Sequence, residues 1–371
     1  MGGRRPVSGI LTAFDRAARA LRGQSRPEPA AGLELVPARP LVMQAPVVRL
    51  SLAIGDRILV RPGEVVAAGT PLVERMRDVV LIAPSERGRS IGRRLWPAGA
   101  DARGLPTSIG RRSGDWHAHA NGRPSGELAV RHDGGWQIAV GNPAEVVEAP
   151  AAGIVREARA GMTIALATDG PALAGAYGAG SPARGRLEIA GGPEAELRPS
   201  ALDVGRAGTI LVVGSRVDAE TLIRARAMGV RGVIVGGLSE KDLRDFAASE
   251  RRQHAGLHRP PPFAVLVLDG ALRRPIAGPV IGFLIANEGR EVGLVADPPC
   301  VLLGGDAPDP PVVAADFVRI VHGPLAGREG RWSGLAGLRR FRAGTHLEAG
   351  FVDLAEDGRV AVPLADLERF V

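Results

Sequence analysis

The residues of this chain whose types could do chemistry fall into a few groups, and each implies a different reaction or partner. Asp115, His117, His119, His132 and Asp133 combine imidazole with carboxylate, a donor set that suits zinc or iron. A His-x-His pair on a strand places both rings on one face. The spacing supplies no close third ligand, and His132-Asp133-Gly134-Gly135 reads as a hairpin turn, so surface histidines are expected and no metal. Gly214-Ser215-Arg216, with Gly236, Gly237 and Asp269, could offer backbone N–H groups and a guanidinium to an anion. No G-x-G-x-x-G follows a strand and no G-x-x-x-x-G-K-[ST] occurs, so nucleotide binding has no signature. Arg93, Arg94, Arg111 and Arg112 form an arginine-rich stretch near Trp96 and Trp116. Guanidinium groups pair bidentately with phosphate or carboxylate, and the indoles could stack on bases. The bland alternative is a solvated loop. Arg339, Arg340 and Arg342 make a smaller patch near the C-terminus. The lone Cys300 cannot form an internal disulfide or a cysteine zinc site, and reads as a small buried apolar residue. No nucleophile–base pair assembles, so no catalytic residue is assigned and the expectation leans away from an enzyme.

Charge distribution narrows these options. The formal net charge is +7 over 371 residues, which suggests a nucleic-acid binder until it is divided along the chain. Residues 1–130 carry 20 arginines against 11 acids, whereas residues 313–371 carry 8 cationic against 8 acidic residues. The basicity therefore belongs to one stretch, and the C-terminal part has no built-in attraction for phosphate. Lys241 is the only lysine.

The elements that must position these residues change character along the sequence. With 51 Gly and 30 Pro, short strands and turns are favoured over long helices. No stretch is long and apolar enough to span a bilayer. Ile10, Leu11, Phe14, Ala17, Ala18 and Leu21 recur at helical spacing interrupted by charge, so no secretory signal is read and a cytoplasmic location is the default. Residues 1–46 thus read as an amphipathic stretch followed by a Pro-rich extended linker over 23–46. Residues 47–198 read as a β domain of short strands, interrupted by the Arg-rich insert at 85–143. Residues 199–312 alternate strand and helix. Strands are expected at Thr209–Val213, Gly232–Val235, Phe263–Leu268 and Glu291–Val295, with helices at Asp218–Met228, after Ser239 and at Pro279–Glu288. Ser239 and Asp242 have capping-box spacing. Such alternation predicts parallel strands, with ligands binding past their carboxyl ends. Residues 313–371 return to β: a strand at Phe317–Val321, a turn at His322–Gly327, a second strand at Arg328–Trp332, and an Asp357-Gly358 hairpin turn.

Two resemblances attach to these motifs. "GDRILVRPGEVVAAGTPLVER" and "VEAPAAGIVREARAGMTIALATDG" resemble the two halves of a biotinyl/lipoyl-like barrel-sandwich hybrid. Carrier members of that family need a lysine at a hairpin tip. Neither half has one, so a scaffold or interaction module is implied, with no covalent lipoyl or biotin. "FVRIVHGPLAGREGRW" resembles the KOW motif of NusG-type transcription factors and ribosomal proteins, with Gly323, Pro324 and Gly327 in the turn and Gly330 at the hallmark glycine. "GFVDLAEDGRVAVPLADLERF" is similar to the closing strands of the SH3-like barrel, and "LAGLRRFRAGTHLEAG" is an insert that blurs the middle strands. The KOW resemblance implies binding to RNA or to proteins of the transcription and translation machinery. The neutral charge of this part favours a protein partner, with RNA second.

The expected architecture is multidomain, α/β plus all-β. It comprises a split barrel-sandwich hybrid, a small parallel α/β domain and a C-terminal SH3-like (KOW) barrel. The leading expectation is a non-catalytic adaptor that binds through the KOW-like barrel and the Arg-rich insert. The rivals are a small-molecule sensor or enzyme using Ser215, Arg216 and Asp269, and a structural protein that self-associates through its barrels.

Overall fold

The computed structural model describes residues 31–52, 56–76, 79–82, 108–112, 115–120, 123–132, 135–139, 143–256, 262–342 and 344–371. The helical spacing at 10–21 and the pair Arg93 and Arg94 lie outside the described residues.

In chain order, an entry segment carries β1 (Ala38–Arg39) and β2 (Val42–Gln44). Then come β3 (Val47–Ser51), β4 (Arg57–Ile58), β5 (Val65–Val66) and β6 (Pro71–Met76). β7 (Val79–Ile82) precedes the inserted stretch, which holds β8 (Ser108–Arg112), β9 (Asp115–Ala120), β10 (Arg123–His132) and β11 (Gly135–Ala139). β12 (Pro143–Glu148), β13 (Gly153–Arg159) and β14 (Thr163–Thr168) follow, then β15 (Pro171–Ala174), β16 (Tyr177–Gly180) and β17 (Ala183–Ile189). The alternating part is β18 (Thr209–Val212), α1 (Ala219–Ala227), β19 (Gly232–Val235), α2 (Glu240–Gly256), β20 (Ala264–Val267), α3 (Gly278–Ala286), β21 (Glu291–Ala296) and β22 (Pro299–Leu302). The chain ends in β23 (Phe317–Ile320), β24 (Glu329–Arg340), β25 (His346–Leu354), β26 (Gly358–Pro363) and β27 (Leu367–Phe370). Mostly β with few helices, the protein mixes α/β and all-β parts. Among the described residues no helix is long and apolar enough to cross a membrane.

Strands β12-β6-β4 and β3-β14-β13-β5 form two small sheets around one core, in which Val48, Leu50, Leu72, Val155, Ile164 and Leu166 are fully or almost fully buried. Alternation sets this arrangement: β3 buries Val48 and Leu50 and exposes Val47, Arg49 and Ser51. The insert supplies β8 to β11 of a five-stranded antiparallel sheet ordered β7-β11-β10-β9-β8, with β7 coming from the segment before it. His132 pairs with Gly135 where β10 meets β11, and the turn read at Asp133-Gly134 lies outside the described residues.

A nine-stranded sheet, ordered β16-β20-β19-β18-β17-β21-β22-β15-β2, runs through the middle of the molecule. β17, β18, β19 and β20 are parallel. The fourth parallel strand is therefore β17 and not the expected Glu291–Val295, which pairs antiparallel with β17. Strand–helix alternation reports adjacency along the chain; β17 already occupies the free side of β18, so β21 adds beyond it in the opposite direction. β18, β19 and β20 are buried on both faces, whereas β17 buries alternate residues. Ile210, Val212, Ile234 and Leu266 join α3 in one core, while Leu211, Val233, Val235 and Val265 join α1 and α2 in the other. Asp218 caps α1 by accepting the Thr221 N–H at 2.7 Å, and Ser239 accepts the Asp242 N–H at 3.1 Å at the start of α2.

Two sequence boundaries blur for a packing reason. β15, β16 and β17 lie before residue 199 yet belong to the nine-stranded sheet, and Val295, Cys300 and Leu302 close the core of the two small sheets. Cys300 is fully buried there, and desolvation pushes its thiol up to about 12. The end of the linker is extended as read, but it is paired: β1 joins β27 in parallel and β2 joins β15.

The C-terminal strands form a sheet ordered β1-β27-β23-β24-β25-β26, around Leu33, Val36, Val318, Ile320, Trp332, Val352 and Leu367. The stretch read as an insert is the long β24–β25 hairpin, bent by register shifts at Trp332/Gly334 and Leu335/Gly337. The Trp332 ring lies against Gly350, where any Cβ would fall 2.0 Å from it. At Gly330 a Cβ would stand 2.6 Å from the Asp353 carbonyl, so the chain tolerates no side chain there.

Candidate partner-binding groove

The crevice past the carboxyl ends of the parallel strands is filled with chain. Ser215 is buried, its hydroxyl donates to the Glu194 carbonyl at 2.8 Å, and its Oγ accepts from Arg273 Nε at 3.3 Å. A Cβ on Gly214, Gly236 or Gly237 would meet backbone at 2.4, 2.5 and 2.1 Å. These glycines serve close packing of the segments around Ala195 and Leu272–Arg274. Arg216 is half exposed and lies 3.8 Å from Glu196. At Gly214 and Ser215, weighed above as a possible anion site against a structural connection, the protein's own loops pack against the backbone.

Asp269, the remaining member of that group, has a different role. Its carboxylate accepts from Arg39 at 2.8 Å and from Arg319 at 3.0 Å. Arg319 also donates to Glu368 at 3.1 Å and to the Pro275 carbonyl, and Arg39 donates to the Leu268 carbonyl at 2.9 Å. Arg319 is only 1% exposed. Burial alone would lower its pKa; Asp269 and Glu368 outweigh that and hold the guanidinium above its ordinary range. Glu329, on β24, accepts the Gly278 N–H of α3 at 2.7 Å. Burial pushes its carboxyl above the usual range, with Asp269 and Glu368 adding to the effect and Gly278 and Arg319 opposing it. This cluster bolts the C-terminal sheet and β1 to the end of β20. It is a junction whose central groups, Arg319 and Asp269, are almost fully buried.

A cavity of about 480 Å³ between the small sheets and the nine-stranded sheet is lined by Asp169, Arg184, Arg290, Glu291 and Asp306. Arg290 already holds Asp306 at 2.7 Å and Arg184 lies 3.9 Å from Glu291, so both guanidiniums of the lining are engaged by its own carboxylates.

The C-terminal sheet offers a different kind of site. The turn His322–Gly327 is held by Gly327 N–H to Ile320 O at 2.7 Å and Ala326 N–H to Gly323 O at 3.1 Å. Gly323 and Gly327 take φ of +82° and +91°, which glycine alone adopts without strain. The tip of the β24–β25 hairpin curls back, with Phe341 N–H bonded to Thr345 O at 2.9 Å. Between turn, tip and the end of β26 lies a groove of about 410 Å³. Its walls are Ile320, Pro324, Leu325, Phe341, Leu347, Val362 and Pro363, with Arg342, His322 and Asp366 at the rim. Arg339 is engaged by the Ala336 carbonyl at 3.0 Å and the Phe351 ring at 5.5 Å. Arg340 and Arg342 are exposed and, among the described residues, in no ion pair.

Of the residues singled out in the sequence, the structure brings Gly323, Pro324 and Arg342 to this one groove. Arg339 and Arg340 stand on the hairpin beside it, while Gly327 and Gly330 act in the fold behind it. Arg111 and Arg112 are on β8, opposite Trp116 and Asp115 of β9, and His117 and His119 are also on β9. Phe341, Leu347 and Asp366 were missed, as were Arg319 and Glu329. An arginine inside the apolar run Phe317-Val318-Arg319-Ile320 was a usable signal, since a charge there must find buried partners. No protein-family model matches the chain, and no curated protein matches it in sequence.

Proposed function

We propose that this protein is a non-catalytic binding protein of several modules, whose C-terminal unit docks a segment of a protein partner in the groove between the His322–Gly327 turn and the β24–β25 hairpin. In this reading the C-terminal unit is a KOW-type SH3-like barrel, and the two small sheets are a barrel-sandwich hybrid used as scaffold. The observation that carries it is convergence: a glycine-proline turn and an arginine-bearing hairpin, distant in sequence, wall one apolar groove. Apolar walls fit side chains of a protein better than a phosphate backbone, and the rim arginines select carboxylates beside them. A second contact through the arginines of the insert, including Arg93, Arg94, Arg111 and Arg112, belongs to the same adaptor role. RNA is the competing partner class.

The test is affinity capture from the native host with full-length protein and with Phe341→Ala/Leu347→Ala, each with and without nuclease. A partner protein retained after nuclease and lost from the double variant supports the reading. Capture that disappears with nuclease, or that ignores the double variant, would overturn it.

A further inference from the structure

Strand β26 closes one edge of the C-terminal sheet, and its last residues form a wall of the groove. The two edges of this sheet are unlike. At the far edge β1 has two residues, and Arg39 pins it to Asp269. β26 has six, Gly-Arg-Val-Ala-Val-Pro, paired with β25 in unbroken register, whereas the β24–β25 ladder is broken twice. Sheet edges are normally blunted by shortness, bulges or free charge. Over β26 the one charge is Arg359, held by both carboxylate oxygens of Asp353 at 2.7 and 3.1 Å, and Pro363 marks only the end. In an antiparallel strand half of the N–H and C=O groups point away from the partner. On β26 those groups have no other strand to meet among the described residues.

We infer that the partner segment binds as an added β-strand along β26, pairing its backbone with this open edge while its apolar side chains enter the groove and its carboxylates meet Arg342 and Arg340. This rests on the proposed docking at the groove and adds the mode of binding and the chemistry of the segment: extended, apolar and acidic in alternation. Strand addition supplies affinity from the main chain and specificity from alternate side chains. A second copy fits less well. Two antiparallel β26 strands would bring Arg359 of one chain toward the Arg342 end of the other, adding cation to cation.

The probe is a short peptide alternating Glu and Val, titrated into the full chain beside three controls: an alternating Lys–Val peptide, oligouridylate, and a Glu–Val depsipeptide in which esters replace the amide N–H groups. The expected result is saturable Glu–Val binding, slowed hydrogen exchange at β26 amides with β1 unchanged, and affinity at least about tenfold lower for the depsipeptide, the loss of a few main-chain hydrogen bonds. Equal binding of the depsipeptide, with no β26 protection, would refute strand addition and leave the groove as a docking site. No Glu–Val binding, or preference for oligouridylate or Lys–Val, would overturn both. A dimer that the Glu–Val peptide dissociates would assign the edge to a second copy and overturn the inference.

Discussion

Arg319 shows how one side chain can hold two parts of a molecule together. It sits mid-strand in β23, at a position whose neighbours Val318 and Ile320 are core residues, and it is as buried as they are. Asp269, Glu368 and the Pro275 carbonyl surround its guanidinium. Replacing it with a smaller neutral residue leaves Asp269 and Glu368 to share Arg39, 2.8 and 3.7 Å away, and breaking a buried pair in this way costs about 3–5 kcal/mol. Arg319→Ala should therefore lower the unfolding free energy by roughly that amount in urea titration. A loss below about 1 kcal/mol would mean that water reaches the junction and that the cluster contributes little. Lysine is a poor substitute, because one ammonium cannot reproduce the forked contacts to both carboxylates.

At the scale of elements, the junction joins β24 to the start of α3. The first N–H groups of a helix lack partners within it, and here Glu329 from the C-terminal sheet accepts the one on Gly278. A carboxylate suits that helix end, but Glu329 is largely buried and shares its surroundings with Asp269 and Glu368, so its carboxyl titrates above the usual range. A carboxyl with a raised pKa takes up its proton more readily when folded. Its contribution to stability is therefore greatest when it is protonated and is lost as pH rises through the folded-state value. Glu329→Gln keeps a carbonyl to accept the Gly278 N–H and removes the buried charge. Thermal unfolding from acid to neutral pH should show the variant matching the parent at the acid end and exceeding it at neutral pH. Equal melting temperatures throughout would show that Glu329 is not held in a desolvating site. The same element-scale logic applies to the Arg-rich insert: β8 to β11 pair with one another and with β7, and alternating residues within short Gly-interrupted runs give a weak signal until the partners are known.

At the scale of the whole molecule, the entry segment is a strap. Leu33 and Val36 belong to the core of the C-terminal sheet, Leu41 belongs to a core of the nine-stranded sheet, and β2 extends that sheet's edge. β1 lies against the last strand of the chain, so residues 38–39 and 369–370 meet in parallel. Without the strap, β27 becomes an unpaired edge and the C-terminal core loses two buried apolar side chains, each worth about 1.5–3 kcal/mol of burial. A chain beginning at residue 47 should release the C-terminal sheet from the nine-stranded sheet and open the segment 304–316 to protease, at a rate well above that of the full chain. Unchanged cleavage by limited proteolysis would show that the buried arginine junction alone keeps the parts docked.

The sequence by itself determined the local structure wherever its periodicity was unambiguous. The four-residue apolar runs at β18, β19 and β20, the caps at Asp218 and Ser239, and the glycines at 323 and 327 each dictate a conformation through contacts a few residues away. The excess of arginine, the single lysine and the mostly β character were likewise readable from composition and turn spacing. Tertiary structure alone decided what those elements do together. It closed the crevice at Gly214-Ser215-Arg216, turned Asp269 from a candidate ligand contact into an anchor, and set β17 in the place expected for β21. It also brought Phe341, Arg342 and Pro363 from the far ends of the hairpin strands against the turn at His322–Gly327. The physical reason is range. Backbone conformation follows from neighbours in the chain, whereas a crevice, a buried ion cluster or a groove exists only through the close packing of segments that the sequence keeps far apart.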